Sequence, residues 1–361
     1  MQQEFGALLQ AVLTIAFVGG LALLAQWGRK NRGAEISLVV IVLFLSFLVA
    51  ASGLLVALVA RSGALPPDFP LALSASGATV LVIAGIIGIA LCIPPLRRIM
   101  SRRAPAPEYD AGSGGFATSN GPSEGYPPRR FWSDPVIFFA IWLSVLVLAQ
   151  NLATLLIFAL SPEAFETTFS AAGRLSLVSV VASQLPFVVV AALGVGFGYR
   201  RNLRETLARL GYGPITLRQL GVVGLFIVGT LLLSLAFDAL FAALQPELYS
   251  RVGEISEGLV STEGFSPLAA ILFGLLIGVG AAAGEETLFR GALQPALGIP
   301  LASVLWASLH VQYGLSVLLV YIFVISIGWG ILRNRINTTA TFLVHAGYNF
   351  SLVILSYFSQ L

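Results

Sequence analysis

Cysteine, histidine and charge are all scarce in this chain. A single cysteine, Cys92, among 361 residues excludes an internal disulfide and any multi-cysteine metal cluster. Its place near the end of an apolar run marks it as a small buried hydrophobe. Only 10% of the residues are charged while 57% are hydrophobic, and the mean hydropathy is +0.91, a composition that a water-soluble core cannot absorb. The first residues, Met1-Gln2-Gln3-Glu4-Phe5, lack a basic n-region, and no A-x-A-like site follows, so the first apolar run is expected to be a retained span. No repeat of fixed period occurs, which argues against a solenoid. The net charge of +3 does not point to nucleic acid, because the arginines gather at the ends of apolar runs and serve to orient the chain in lipid.

What is abundant is hydrophobic length. Each crossing of a hydrocarbon layer takes roughly 20 apolar residues, and the runs predict about ten spans, near 5–27, 36–60, 76–95, 134–160, 174–197, 218–244, 266–290, 298–313, 315–332 and 339–358. The expected fold is therefore all-α, a polytopic transmembrane helical bundle. Basic clusters at Arg29-Lys30-Asn31-Arg32, Arg97 to Arg103, Arg200-Arg201 and Arg333-Asn334-Arg335 fall in alternate loops, which predicts a plasma-membrane protein of bacterial type with both termini outside. Residues 101–133, rich in Pro, Gly and Ser, read as a flexible cytoplasmic linker. They divide an accessory three-span bundle, 1–100, from a seven-span membrane domain, 134–361, that carries all the candidate chemistry. A basic, amphipathic stretch between Tyr199 and Gln219 predicts an interfacial helix. The sequon-like Asn337-Thr338-Thr339 falls in a cytoplasmic turn and is set aside.

Both histidines of the protein, His310 and His345, lie inside predicted spans, as do Glu285 and Glu286. Ionisable groups at such depth cost several kcal/mol unless paired or hydrated, so they mark a function or a compensating partner. Rise per residue places Glu285, His310, His345 and Asn349 between the midplane and the cytoplasmic face. Gly274, Gly278, Ala281 and Glu285 form one helical stripe, whose small residues admit a neighbouring helix and turn Glu285 into the bundle. Glu286 points about 100° away from Glu285 and aligns with Arg290, an i,i+4 ion pair with a supporting role. His345 and Asn349 share a face, and so do Trp306 and His310.

Hydrolysis of a peptide within a membrane needs a water held by a base and donors for a tetrahedral oxyanion. Glu285 and His310 suit the first task, His345 and Asn349 the second. No G-x-S-x-G elbow frames a serine. Glu285, His310 and His345 could instead supply three ligands to zinc, although the short H-E-x-x-H spacing is missing. The main expectation has no cofactor and no metal.

Three runs carry a family resemblance. Gly284-Glu285-Glu286-Thr287-Leu288-Phe289-Arg290-Gly291 resembles the E-E-x-x-x-R signature of the CAAX-protease and bacteriocin-processing (Abi) family, which includes the prenyl-protein-processing endopeptidases. Trp306-Ala307-Ser308-Leu309-His310 is similar to its F-x-x-x-H motif with a larger aromatic, which keeps the packing role. His345-Ala346-Gly347-Tyr348-Asn349 is similar to its H-x-x-x-N motif, preceded by Gly328-Trp329 and a basic turn. The resemblance covers about residues 135–361 and leaves the first 130 unexplained. It implies an intramembrane, metal-independent glutamate peptidase in which Glu285 and His310 activate water and His345 and Asn349 form the oxyanion site. Glu286, Arg290 and Trp306 would support them. The implied partners are membrane lipids and a peptide or membrane-associated protein substrate. Two other functions fit the residues: a non-catalytic scaffold or bacteriocin-immunity-type protein, and a proton-coupled transporter using Glu285 and the histidines as a relay.

Overall fold

The computed structural model describes residues 2–62, 71–93, 134–170 and 173–359. The expected linker at 101–133 lies outside these residues. The described chain is helical, with one isolated bridge between Phe197 and Arg201 as its extended pairing. Its elements are α1 Gln2–Thr14, α2 Gly20–Gly28, α3 Arg32–Arg61, α4 Leu71–Cys92, α5 Pro135–Leu160, α6 Pro162–Ser170, α7 Leu177–Gly194, α8 Leu203–Arg209, α9 Leu217–Leu244, α10 Pro246–Val260, α11 Pro267–Glu285, α12 Gln294–Ser308, α13 Val317–Arg335 and α14 Thr338–Ser359. A π-helical turn, Ile15–Gly19, joins α1 to α2, and another, Glu286–Leu293, joins α11 to α12.

Among the described residues eight helices are long and apolar enough to cross a membrane, and Ser76–Cys92 is a shorter apolar helix. The protein is an integral membrane protein on this composition. Leu217, Leu225, Leu232 and Leu235 lie exposed along α9, a surface that is unfavourable in water and ordinary against acyl chains. The helix starts follow from local chemistry. Asn31, Asp134, Ser176, Asn202, Thr216, Ser266 and Ser316 each accept a backbone N–H of the first turn of their helix, satisfying donors that helix geometry leaves without partners.

Pro267–Ser308 is one apolar stretch, but it consists of two helices meeting at a kink at Gly298, whose φ of 81° is open to glycine and strained for other residues, in keeping with the separate spans expected at 266–290 and 298–313. The helices differ from the expected ones elsewhere. The second half then stops at Ser308, and Val311–Tyr313 forms a 3-10 turn closed by Gly314 at φ 58°. His310 therefore sits on a turn rather than inside a helix. The expected interfacial helix is confined to α8 Leu203–Arg209 because Gly211, at φ 80°, ends it. Two helices also occupy what read as loops: α6 and α10 share a small core of Phe158, Phe165, Phe241 and Val252, and Arg251 pairs with Glu166 at 3.3 Å.

The helices before the linker are joined to those after it. Leu21, Ala25, Leu38, Val42, Leu91 and Cys92 bury against Phe138, Phe139 and Trp142 of α5. Cys92 is 8% exposed, the small buried hydrophobe expected. Further along, α11 packs between α7 and α14, and glycines make this possible. A Cβ on Gly278 would collide with the Ala346 carbonyl of α14 and lie 3.2 Å from the Phe350 nitrogen, while one on Gly284 would meet Gln184 of α7. Small residues at such crossings let backbones approach within van der Waals range.

Candidate active site

Glu285 and Glu286 stand where the α-helix gives way to the π-turn, a widening that occurs often at functional sites. They part company there. The Glu285 carboxylate is half-buried and accepts a hydrogen bond from Trp306 Nε1 at 2.5 Å and a longer one from Gln184 Nε2 at 3.5 Å. Glu286 is 0% exposed. Its carboxylate lies 3.0 Å from His345 Nδ1 and 3.5 Å from Arg290 Nε. The ion pair with Arg290, four residues on, is the one expected. At that length it makes no hydrogen bond to Nε, so it acts through charge.

Arg290 is itself sealed. Its Nη2 donates to Ser326 Oγ at 3.1 Å, and its guanidinium carbon lies 4.8 Å from the centre of the Trp306 ring, within the range of a cation–π attraction. Trp306 is thus in touch with Glu285, Arg290 and both histidines. Its indole lies 4.9 Å from the His310 ring and 5.7 Å from the His345 ring, centre to centre, while its N–H holds Glu285. Trp306 and His310 are four residues apart, as the motif spacing implied, and the turn at 311–313 keeps them adjacent although the helix has ended. The His310 Nδ1 lies 3.0 Å from the Trp306 carbonyl. A carbonyl oxygen only accepts, so Nδ1 carries the hydrogen, and the neutral ring presents Nε2 with its lone pair. By the same reasoning Glu286 fixes a hydrogen on His345 Nδ1. A neutral His345 then offers Nε2 as an acceptor, and donates from Nε2 only as the imidazolium.

Asn349 lies one turn beyond His345 on α14 and is half-buried. Glu285, His310 and His345 are drawn around a single indole. Asn349 shares a face of α14 with His345 by its four-residue spacing. Among the described residues no group of three His, Cys, Asp or Glu is arranged to hold a metal ion. Of the residues weighed for zinc, His345 turns its Nδ1 to Glu286, His310 turns its Nδ1 to the Trp306 carbonyl and Glu285 accepts from the Trp306 indole.

Residues 267–351 match the family model described as type II CAAX prenyl endopeptidase Rce1-like. The matched segment runs from the start of α11 into α14 and contains all three motifs, in agreement with the resemblance to the CAAX-protease and bacteriocin-processing family. No curated protein and no solved structure shows significant similarity to the chain. An Rce1-like segment in a polytopic helical bundle supports a membrane protease in general terms, working in lipid on peptide substrates.

Sequence reasoning did not single out several side chains of this candidate site. Gln184 holds Glu285 from α7. Tyr313 stacks on His310 with the planes 8° apart, and Ser326 receives Arg290. Gln184 was the most accessible to reading, being a carboxamide inside a predicted span, where a polar group implies a partner. Tyr313 gave no such signal, because its place depends on the turn after Ser308. Trp329, noted only as part of a family pattern, packs 4.9 Å from the His345 ring and backs the imidazole.

Proposed function

We propose that the protein is an intramembrane glutamate peptidase that hydrolyses a peptide bond of a membrane-associated peptide or protein, of CAAX or bacteriocin-processing type. The observation that carries this reading is the convergence on Trp306 of the partly buried Glu285 carboxylate and the His310 imidazole. The indole N–H holds the Glu285 carboxylate in place. A water between it and His310 Nε2 gives up a proton to Glu285 as its oxygen attacks the scissile carbonyl. The oxyanion that forms is met by Asn349 and by His345 as its imidazolium, a form whose charge the sealed Glu286 offsets. Collapse of the tetrahedral species breaks the C–N bond, and the proton held by Glu285 passes to the leaving amine. No metal takes part. Residues 134–361 act as the catalytic domain and residues 1–100 as its accessory bundle. The arginine clusters face the cytoplasm of a bacterial cell, and both termini lie outside.

The test replaces Glu285 with Gln and, separately, His310 with Ala in the full chain, and compares new N-termini in membranes that carry each variant with those carrying the parent. Peptides cleaved only with the parent identify the substrate and support the mechanism. The same cleavage products from both variants would favour a scaffold that uses the cluster for binding, and the peptidase reading would fall.

A further inference from the structure

The start of α9 and the end of α13 lie side by side at one end of the bundle. Phe237 meets Tyr321, and Thr230, one step nearer the start of α9, meets Trp329, nearer the end of α13, so the two spans run in opposite directions. Thr230 fastens their crossing: its hydroxyl accepts from Trp329 Nε1 at 3.4 Å and its carbonyl from the Tyr321 hydroxyl at 3.2 Å. Beyond this point the helices part into an open groove. Val222 and Phe226 of α9 and the buried Leu332 of α13 give it an apolar floor, while Arg218 and Gln219 of α9 and Arg335 of α13 line its outer part. Arg218 and Phe226 stand about 12 Å apart along the helix, a span that takes a polar headgroup above and the first carbons of a hydrocarbon chain below.

Arg218 and Arg335 are exposed, and among the described residues neither guanidinium has a hydrogen-bond or ion-pair partner. No Asp or Glu lines the groove. Gln219 adds a directed donor. Its Oε1 accepts from the Thr216 N–H at 2.9 Å and the Thr216 hydroxyl at 3.1 Å, which leaves the hydrogens of Nε2 for an outside acceptor. The groove also begins at the N-terminus of a 28-residue helix, where the helix dipole favours an anion. Basic residues at span ends orient a chain by charge alone, and that task asks nothing of where their side chains turn. Here guanidiniums from two separate helices line one groove. Leu220, Leu225 and Ile331 beside it are exposed, so its flank opens to acyl chains.

We infer that the groove between α9 and α13 binds an anionic glycerophospholipid, with its phosphate between Arg218 and Arg335 and one acyl chain running past Val222 and Phe226. Guanidinium groups offer a phosphate paired, charge-assisted N–H bonds. A zwitterionic choline headgroup would bring a cation that no carboxylate in the groove receives. The site is separate from the proposed chemistry at Glu285 and stands whether or not that reading does.

The experiment uses the purified full-length protein in detergent, offered equal amounts of dioleoyl phosphatidylglycerol and dioleoyl phosphatidylcholine. Retained lipid is read by native mass spectrometry, and thermal unfolding is followed in parallel. A basic side chain near an anionic headgroup contributes a preference of roughly fivefold, so the parent should retain phosphatidylglycerol at least about fivefold over phosphatidylcholine. Arg218→Gln with Arg335→Gln should remove most of that preference. Arg32→Gln with Arg204→Gln, an equal loss of charge outside the groove, should leave most of it. Phosphatidylglycerol should raise the unfolding temperature of the parent, and inorganic phosphate should not. Equal retention of the two lipids by the parent overturns the inference, and this arm needs no variant to fold. An equal loss of preference in the two double variants also overturns it, because surface charge in general would then be the cause. So does stabilisation by inorganic phosphate that matches that by the lipid, which would make the groove a site for free phosphate.

Discussion

Glu285 and Glu286 are neighbours in the chain with opposite surroundings. The first keeps part of its surface open and is held by neutral donors, Trp306 and Gln184. The second is fully enclosed beside a guanidinium and an imidazole. A carboxylate that has to exchange protons with water gains from the first setting, and one that has to hold other groups in place gains from the second. The rotation of about 100° between adjacent helical residues is what separates the pair, and the comparison teaches that one helical step can divide an accessible carboxylate from an enclosed one. The sharpest way to break this division is to make the same substitution at each position. Glu285→Gln should cut cleavage by roughly 10²–10⁴-fold while thermal unfolding stays close to that of the parent. Glu286→Gln leaves Arg290 buried without its counter-charge, and loss of one partner of a buried pair costs about 3–5 kcal/mol. Unfolding monitored in detergent should show that loss at 286 and not at 285. Adding Arg290→Met to Glu286→Gln should recover part of the stability, because a well-packed apolar replacement of a buried pair is tolerated. Equal destabilisation by both single substitutions would erase the distinction.

A smaller effect sharpens the open side of the comparison. Trp306→Phe keeps an aromatic ring between Arg290 and the histidines and removes the N–H that reaches Glu285. A hydrogen bond to a charged group is worth about 1.5–3 kcal/mol, so the rate of cleavage should fall by about tenfold or somewhat more, with Glu285 less well oriented and the fold retained. Rates measured on a substrate peptide found through Glu285 would check this. An unchanged rate would mean that the ring, and not its N–H, positions the carboxylate.

Much of this arrangement was legible in the residues. The small-residue stripe of α11 predicted a close helix neighbour, and Gly278 indeed lies against the α14 backbone. The i,i+4 spacing predicted the Glu286–Arg290 pair, which forms. What could not be read was the exchange of partners on the third motif. Helical periodicity gives the direction of a side chain on its own helix and is silent about the tilt of the next one. The contact of His345 with Glu286 depends on how α14 crosses α11. The stop at Ser308 was hidden for another reason: apolar runs report length in lipid and do not mark where a helix unwinds within the run. His310 was therefore assigned to a helix when it stands on a turn, although its four-residue distance from Trp306 survived. The basic stretch after Tyr199 suggested an interfacial helix, but the positive φ of Gly211 ends it after one short helix, Leu203–Arg209.

The smallest expected effect concerns metal. Glu286 lies 3.0 Å from His345 Nδ1 and one oxygen of Glu285 accepts from the Trp306 indole, contacts that leave the Nε2 atoms of both histidines unused and so leave the choice to experiment. Three-residue metal sites place their ligand atoms on one ion at about 2.0–2.2 Å. To assemble one here, a Glu285 oxygen and the Nε2 atoms of His310 and His345 would have to meet at one point. On the metal-independent proposal, chelation of the purified parent with EDTA or 1,10-phenanthroline, followed by dialysis and elemental analysis, should leave cleavage of the identified substrate unchanged. Loss of activity restored by stoichiometric zinc would move Glu285 from base to ligand. In that case Glu285→Gln should abolish bound metal together with turnover, whereas Glu286→Gln should lose stability first.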